Sequence, residues 1–311
     1  MDKSEPSRRL DVLCVADLCV DVILRGGDVR PRFGQVEQLI DDYTIELGGS
    51  ATIFAAQFAK LGGSAGIIGT LGQDLFGRFA QERLANLGLD TRYVTIDPKV
   101  RTGAGFALAE PTDRAILTCL GGIDATGPET LTGELIGNCR HWHIASYFLL
   151  NRLRPSWVQW LSRLRAAGVT SSLDPNWCPD DNWKSVRELI PLVDVFLANE
   201  NEVRAITECD DWAKAGMTLS TGGPIVAIKR GANGATAFYR GQRWDSPVPV
   251  PVSPDRIVDT IGAGDCFDAG FIRAWKLGKP VDQCLELAIR CGQASLGAAG
   301  GFTGQLCEEI G

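Results

Sequence analysis

The chain alternates short apolar runs with longer segments whose apolar residues recur every three or four positions. Residues 11–16 (DVLCVA) form an apolar run of buried-strand type, and 20–24 (VDVIL) continues it. Residues 25–47 are polar and irregular. Beyond Gly48-Gly49, the positions Ile53, Phe54, Ala56, Gln57, Ala59 and Lys60 follow a helical period, with Ser50 as N-cap and Gly62-Gly63 as the stop. A strand is expected over 65–72, a helix over 75–87 closed by Gly88, and a strand near 91–96. Residues 103–109 and 114–120 alternate as a hairpin does, with a turn at Pro111-Thr112-Asp113.

From residue 140 the beat is regular. The run HWHIASYF (141–148) precedes a helix over 155–167, then a strand over 169–174 and a helix over 181–190. The strand VDVFLAN (193–199) precedes helical segments at 200–207 and 210–220, and PIVAIKR (224–230) is again strand-like. A β-rich patch covers 234–251, where Pro247, Pro249 and Pro251 mark an edge or an exit. Helices at about 263–277 and 281–299 close the chain. Strands alternating with helices predict an α/β fold with a parallel sheet covered on both faces. The stretches 20–47 and 98–122 break that beat and are expected to form a small sheet projecting from the main one, a lid. There is no internal repeat or low-complexity tract, so residues 1–311 read as a single domain.

Composition narrows the function. With 31 Lys plus Arg against 38 Asp plus Glu, the net charge of −7 argues against nucleic acid or an anionic membrane as partner. Thirty-six glycines point to tight turns and close backbone approaches of the kind phosphate sites need. Ten cysteines without a CxxC pair, mostly in apolar runs, read as small hydrophobes in a reduced protein. The N-terminus lacks an apolar signal region and no run of apolar residues spans a bilayer, so a soluble cytoplasmic protein is expected. The two histidines, His141 and His143, share one face of a strand; a metal pair is conceivable, but two imidazoles at a strand start are the plainer reading.

The segment carrying most chemistry is Asp259-Thr260-Ile261-Gly262-Ala263-Gly264-Asp265. Two glycines and an alanine at a loop-to-helix junction leave backbone N–H groups open, and the helix dipole adds positive potential. A phosphate suits that point, and Asp265 lies within the first helical turn, where a carboxylate can take a proton from an attacking hydroxyl.

Asp259 to Phe267 resembles the C-terminal signature of the ribokinase-like (PfkB) carbohydrate kinases, D-T-x-G-A-G-D-x-F, at every specified position. Gly48-Gly49 opening a helix, the run Gly72-Gln73-Asp74-Leu75-Phe76-Gly77, Asp174-Pro175-Asn176 and the Asn199-to-Glu202 Asn-x-x-Glu pattern are similar to further family motifs, in the family's order from about residue 11 to 304. The resemblance implies a three-layer α/β/α fold with a mainly parallel sheet and a β lid. It implies ATP-dependent phosphorylation of a sugar-like hydroxyl, with Asp265 as general base and the Gly262, Ala263 and Gly264 amides as anion hole. Asp21, Gly48, Gly49, Ile53 and Arg101 are the expected acceptor-binding residues. ATP is expected against Asn199, Lys229, Gly231, Gly234, Gly264 and Cys291. Glu202 would hold Mg²⁺ through water, with Asn199 helping. Asp259, the Ile261 carbonyl, Ala298 and Gly301 stand where relatives bind a monovalent cation such as K⁺. Family lids pair in dimers, which implies a homodimer through the lid.

Two positions depart from the family pattern. Ile53 stands where an Asn commonly contacts a substrate hydroxyl, so an apolar wall and poor use of ribose are expected, and Trp177 follows Asp-Pro-Asn where x-Arg is frequent. Arg101 is placed to read a substrate carboxylate or phosphate. Other readings have less support. Gly62-Gly63-Ser64-Ala65-Gly66 spells a hydrolase elbow but follows a helix and precedes a strand, the reverse of what that motif needs. No Walker A run is present, and Gly262-Ala263-Gly264 lacks the third Rossmann glycine. A nucleoside kinase of the same fold, and a sugar-binding regulator without turnover, remain alternatives.

Overall fold

The computed structural model describes residues 9–109, 114–253 and 256–308. The expected turn at Pro111-Thr112-Asp113 and residues 1–8 lie outside the described residues. The first part of the chain contains strands β1 (Val12–Val15), β2 (Cys19–Arg25) and β3 (Asp42–Leu47), helix α1 (Ser50–Lys60), strand β4 (Ala65–Gly72) and helix α2 (Leu75–Ala85). Strands β5 (Asp90–Asp97), β6 (Gly103–Ala109) and β7 (Arg114–Cys119) and short helices α3 (Gly122–Ala125) and α4 (Gly133–Asn138) follow. Next come β8 (His141–Ile144), α5 (Trp157–Ala166), β9 (Thr170–Leu173), α6 (Lys184–Leu189), β10 (Val195–Asn199), α7 (Glu200–Thr207) and α8 (Trp212–Ser220). The chain ends with β11 (Ile225–Lys229), β12 (Ala235–Tyr239), β13 (Gln242–Ser246), α9 (Ala263–Lys276) and α10 (Val281–Ser295).

Nine strands form the main sheet in the order β13-β12-β11-β10-β9-β8-β1-β4-β5, parallel except for the β12–β13 hairpin at one edge. Neighbouring strand residues alternate between two cores, which makes this a three-layer structure. Val12, Cys14, Ala227 and Ile67 pack with Phe54, Phe58 and Phe271 from α1 and α9. Leu13, Val15, Val226 and Ile68 pack with Trp142, Trp157, Trp160 and Val203 on the opposite face.

The second sheet has the order β3-β2-β6-β7 and is mixed, since β2 and β6 pair in parallel while the outer pairs are antiparallel. The run at 20–24 therefore does not continue β1. The chain leaves the main sheet at Ala16-Asp17-Leu18 and enters the small one, and β3 gives regular structure to the end of a stretch that reads as irregular. Several boundaries are shorter than the periodicity suggests. The strand beginning at His141 stops at Ile144, α6 starts at Lys184, and α10 stops at Ser295 rather than 299. The three prolines beyond β13 fall in irregular chain, as residues without a ladder N–H should.

His141 and His143 are buried and share the Ser172 hydroxyl, with Nε2 and Nδ1 respectively at 2.8 Å. Burial drives His143 down to about 3, and Thr170 and Ser172 engage both ring nitrogens of His141, so the pair forms a neutral hydrogen-bonded core network. All ten cysteines are free thiols. No helix among the described residues is long and apolar enough to cross a membrane.

Candidate active site

The parallel strands deliver their C-terminal ends to one edge of the main sheet, where open α/β sheets bind ligands. Asp17 follows β1, Ser146 follows β8, Asp174 and Asn176 follow β9, Asn199 ends β10, and Lys229 ends β11. All six line a cavity of about 500 Å³. The small sheet roofs it with Asp21, Gly105, Ala107, Ile116 and Thr118. A second, more apolar cavity of about 370 Å³ adjoins it, lined by Val248, Val252, Ile257, Phe267, Ile289 and Leu296 among others. Lys229, Gly231, Thr260 and Gly264 line both.

At this junction α9 begins. Gly262 is its N-cap at φ 77°, and a Cβ there would lie 2.8 Å from the Gly301 Cα. Only glycine fits this turn, which leaves the first amides of the helix open toward the cavities. Gly264 has room: a Cβ would meet nothing nearer than Lys229 Nζ at 3.5 Å, so its missing side chain leaves space to a ligand rather than to the protein. Asp265 sits in the first turn and lines the larger cavity at 8% exposure. Burial, reinforced by the Asp174 charge and opposed by Lys229, pushes its carboxyl up to about 7.

Glu202 is buried in the first turn of α7. Asn199 Oδ1 accepts from the Glu202 amide at 2.9 Å, and Glu202 Oε2 accepts from the Asn199 amide at 2.8 Å, a reciprocal capping box. Burial and Asp174 push Glu202 up to about 7 as well. A buried carboxylate facing a cavity in this state gains from a cation, and a hydrated Mg²⁺ fits it. The carboxylates of Asp174, Asp265 and Asp268 also converge, but Lys229 Nζ lies 2.6 Å from Asp174 and 3.3 Å from Asp268, so an ammonium already pairs with two of the three.

The end of the larger cavity under the small sheet is built around Asp21. Gly48 and Gly105 flank its carboxylate; a Cβ at Gly48 would lie 2.5 Å from Oδ2, and one at Gly105 would overlap Oδ1. Gly49, at φ 95°, allows the backbone to lie against Asp17, where a Cβ would be 2.6 Å from the Asp17 carbonyl. Ile53 lines the cavity, and it also packs against Gly301 and Gly262, so it braces the α9 turn.

Sequence reasoning missed Asp17. Its carboxylate accepts from the Ser50 and Ala51 amides at 3.1 and 3.2 Å, capping α1 from outside, and from Ser146 Oγ at 2.6 Å. Ser146 and Asn176, both with positive φ, were missed too; Asn176 Oδ1 accepts from the Ser146 amide. The Asp in VADLCVD and the Asp-Pro-Asn run were the available signals.

Other expected site residues lie elsewhere. Arg101 is exposed and outside the lining of the larger cavity, because the chain entering β6 turns it outward. Cys291 is fully buried against α9, where a Cβ at Gly270 would lie 2.9 Å from its Sγ; Ile289, Gly292, Gln293 and Leu296 face the second cavity instead. Gly234 lines that cavity at φ 83°. The Gly72–Gly77 run is structural: Asp74 caps α2 at the Gly77 amide and binds Thr102. Asp259 accepts from the Ile261 and Gly300 amides and lies 3.6 Å from the Arg25 guanidinium. Ala298 lies in the turn after α10, outside both linings.

The sequence profile of the pfkB family carbohydrate kinases matches residues 9–305. An ATP-dependent ribose-1-phosphate kinase of Halopiger xanaduensis is 34% identical over 268 residues, covering 85% of this chain and 84% of that protein. A fructokinase of Vibrio alginolyticus is 27% identical, covering 82% and 87%. Among solved structures, a putative ribokinase II from E. coli superposes with a TM-score of 0.83 at 23% identity, covering 96% of each chain. The ribokinase of Arabidopsis thaliana, complexed with ribose and ATP, superposes with a TM-score of 0.83 at 21% identity, covering 97% and 96%.

Proposed function

The chain belongs to the pfkB family of carbohydrate kinases and is an ATP-dependent phosphotransferase acting on a sugar-like hydroxyl, and from that premise we propose how its residues divide the work. ATP lies in the apolar cavity with its phosphates over the α9 turn, and the acceptor lies under the lid against Asp21. The acceptor hydroxyl gives its proton to Asp265 and attacks the terminal phosphoryl, whose bond to the bridging oxygen breaks to release ADP, while the open amides at Gly262, Ala263 and Gly264 take up negative charge. The observation that carries this reading is Asp265 in the first turn of α9, lining the larger cavity next to Gly264, which lines both. Mg²⁺, held through water by Glu202 with Asn199, would neutralise phosphate charge.

The acceptor end joins the carboxylates of Asp17 and Asp21, the amide of Asn176 and hydroxyls of Ser146 and Thr118 to the aliphatic side chains of Ile53, Ile116, Ile123 and Leu149. Carboxylates accept from vicinal hydroxyls, and Lys229 is the one basic side chain among the described lining residues, so a neutral sugar or nucleoside is favoured over a sugar acid or phosphate. A sugar phosphate is the second reading, supported by the name of the Halopiger relative. A coupled ADP-release screen over fructose, ribose, ribose 1-phosphate, sugar acids and nucleosides tests both, and turnover of none would overturn both.

A monovalent cation does not fit at Asp259, Ile261, Ala298 and Gly301, because the Asp259 carboxylate is engaged by two amides and faces the Arg25 guanidinium. Closure of the sheet at 20–47 and 98–122 over the acceptor would exclude water. The lid face turned away from Asp21 carries partly exposed Tyr43, Ile45, Phe106 and Leu117, which supports a homodimer through the lid. Ten free thiols support a cytoplasmic location.

A further inference from the structure

More charge lies behind the two cavities than a base and an amide cradle require. Lys229 ends β11, Asp174 follows β9, and Asp268 sits on α9 one turn beyond Asp265. The three meet with Lys229 Nζ 2.6 Å from Asp174 Oδ2 and 3.3 Å from both oxygens of Asp268. The two carboxyl side chains are 2% and 1% exposed, so neither finds water. Burial favours the protonated form of Asp268, whereas Lys229 keeps Asp174 ionised despite its burial. A buried ion pair adds little stability over a well-packed apolar replacement. Its stabilising value therefore does not explain why a lysine stands here.

Its exposure does suggest a use. The side chain is 16% exposed, and it opens onto both cavities instead of being enclosed by its partners. It stands 3.5 Å from the point a Cβ on Gly264 would occupy, on the side where the first α9 amides are open. The larger cavity is otherwise lined by Asp17, Asp21, Asp174, Glu202 and Asp265, whose field opposes the build-up of phosphoryl charge. A free lysine would extend toward solvent. One gripped by two buried carboxyls keeps its ammonium fixed at the junction, already oriented before any charge moves.

Resting on the kinase reading above, we propose that Lys229 is a catalytic residue whose ammonium contacts the phosphoryl group during transfer, with Asp174 and Asp268 as the positioning residues that hold it. The test compares wild type with Lys229→Met and with the charge-matched Lys229→Met/Asp174→Asn. Turnover is measured together with binding of Mg-ADP, alone and with fluoroaluminate, a mimic of the phosphoryl in flight. Lys229→Met should lower kcat by about 10²–10³, keep Mg-ADP affinity within about threefold, and lose at least about tenfold of the tightening that fluoroaluminate brings. The double variant should melt near wild type and stay slow. Recovery of kcat in the double variant, or full fluoroaluminate tightening in Lys229→Met, overturns the proposal and makes Lys229 a structural counter-ion. Wild type that tightens on fluoroaluminate through Lys229 yet phosphorylates no acceptor would support the phosphoryl contact and overturn the acceptor reading alone.

Discussion

The guanidinium of Arg25, on lid strand β2, lies 3.6 Å from the carboxylate of Asp259, in the loop that leads into the α9 turn. Asp259 already accepts from the Ile261 and Gly300 amides at 3.0 and 3.1 Å, so one carboxylate joins the lid, the loop and the turn after α10. A positive charge is thus supplied by the chain itself. Turnover is expected to be the same in potassium and choline salts at matched ionic strength, and thermal melting should not distinguish the two. Arg25→Met should raise KM for the acceptor by loosening the lid. Potassium stimulation of the wild-type enzyme by more than about twofold would show that the cation competes successfully with Arg25.

Asp265→Asn keeps the shape of the α9 turn and removes the base. A drop in kcat of about 10²–10⁴ is expected, with ATP binding largely retained. A variant within threefold of wild type would assign the proton to another group.

The raised carboxyls give a pH signature. Asp265 must be ionised to act as base and is pushed up to about 7, so kcat/KM should fall as pH drops through that value. The sign for stability is opposite. A carboxyl raised in the folded state stabilises the fold at low pH, and that contribution is lost as pH rises from the unfolded value toward about 7. Asp265→Asn should therefore raise the melting temperature over wild type above about pH 8 and do so less below about pH 5. An equal difference at both ends would mean that Asp265 ionises normally.

Two glycines of the same turn should separate folding from catalysis. A Cβ on Gly262 would meet the Gly301 Cα at 2.8 Å with φ at 77°, so Gly262→Ala should lose stability as well as activity. Gly264→Ala meets only Lys229 at 3.5 Å and sits in the first turn of a helix, so it should melt like wild type while turnover falls. Melting curves beside ATP kinetics decide the point, and a fully active Gly264→Ala would remove the phosphate from this position.

The acceptor end is tested at Asp21 and at the glycine beneath it. Asp21→Ala should raise the acceptor KM at least about tenfold and leave the ATP KM nearly unchanged, since charge-assisted hydrogen bonds to hydroxyls are each worth about 1.5–3 kcal/mol. Gly105→Ala should act in the same direction by displacing the Asp21 carboxylate. An acceptor KM indifferent to both changes would move the sugar elsewhere.

The sequence by itself determined the beat of strands and helices, the projecting sheet and the α9 turn, because each rests on local physics. Period-two and period-3.6 burial, the N-terminal amides of a helix and a glycine at positive φ are written in neighbouring residues. Tertiary structure alone decided which side chains share a cavity. Asp17 meets the α1 amides from 33 residues away, and Lys229 reaches Asp174 and Asp268 across 55 and 39 residues. Those approaches follow from strand order, which brings β1 beside β8 and β11 near β9. Side-chain direction was equally out of reach. Cys291 and Gly292 are neighbours on α10, yet the helical turn points one at α9 and the other at the cavity. Arg101 precedes a lid strand but faces outward, while Arg25, unremarkable in a polar stretch, faces inward because the β2–β3 register sets it on the Asp21 face of the lid.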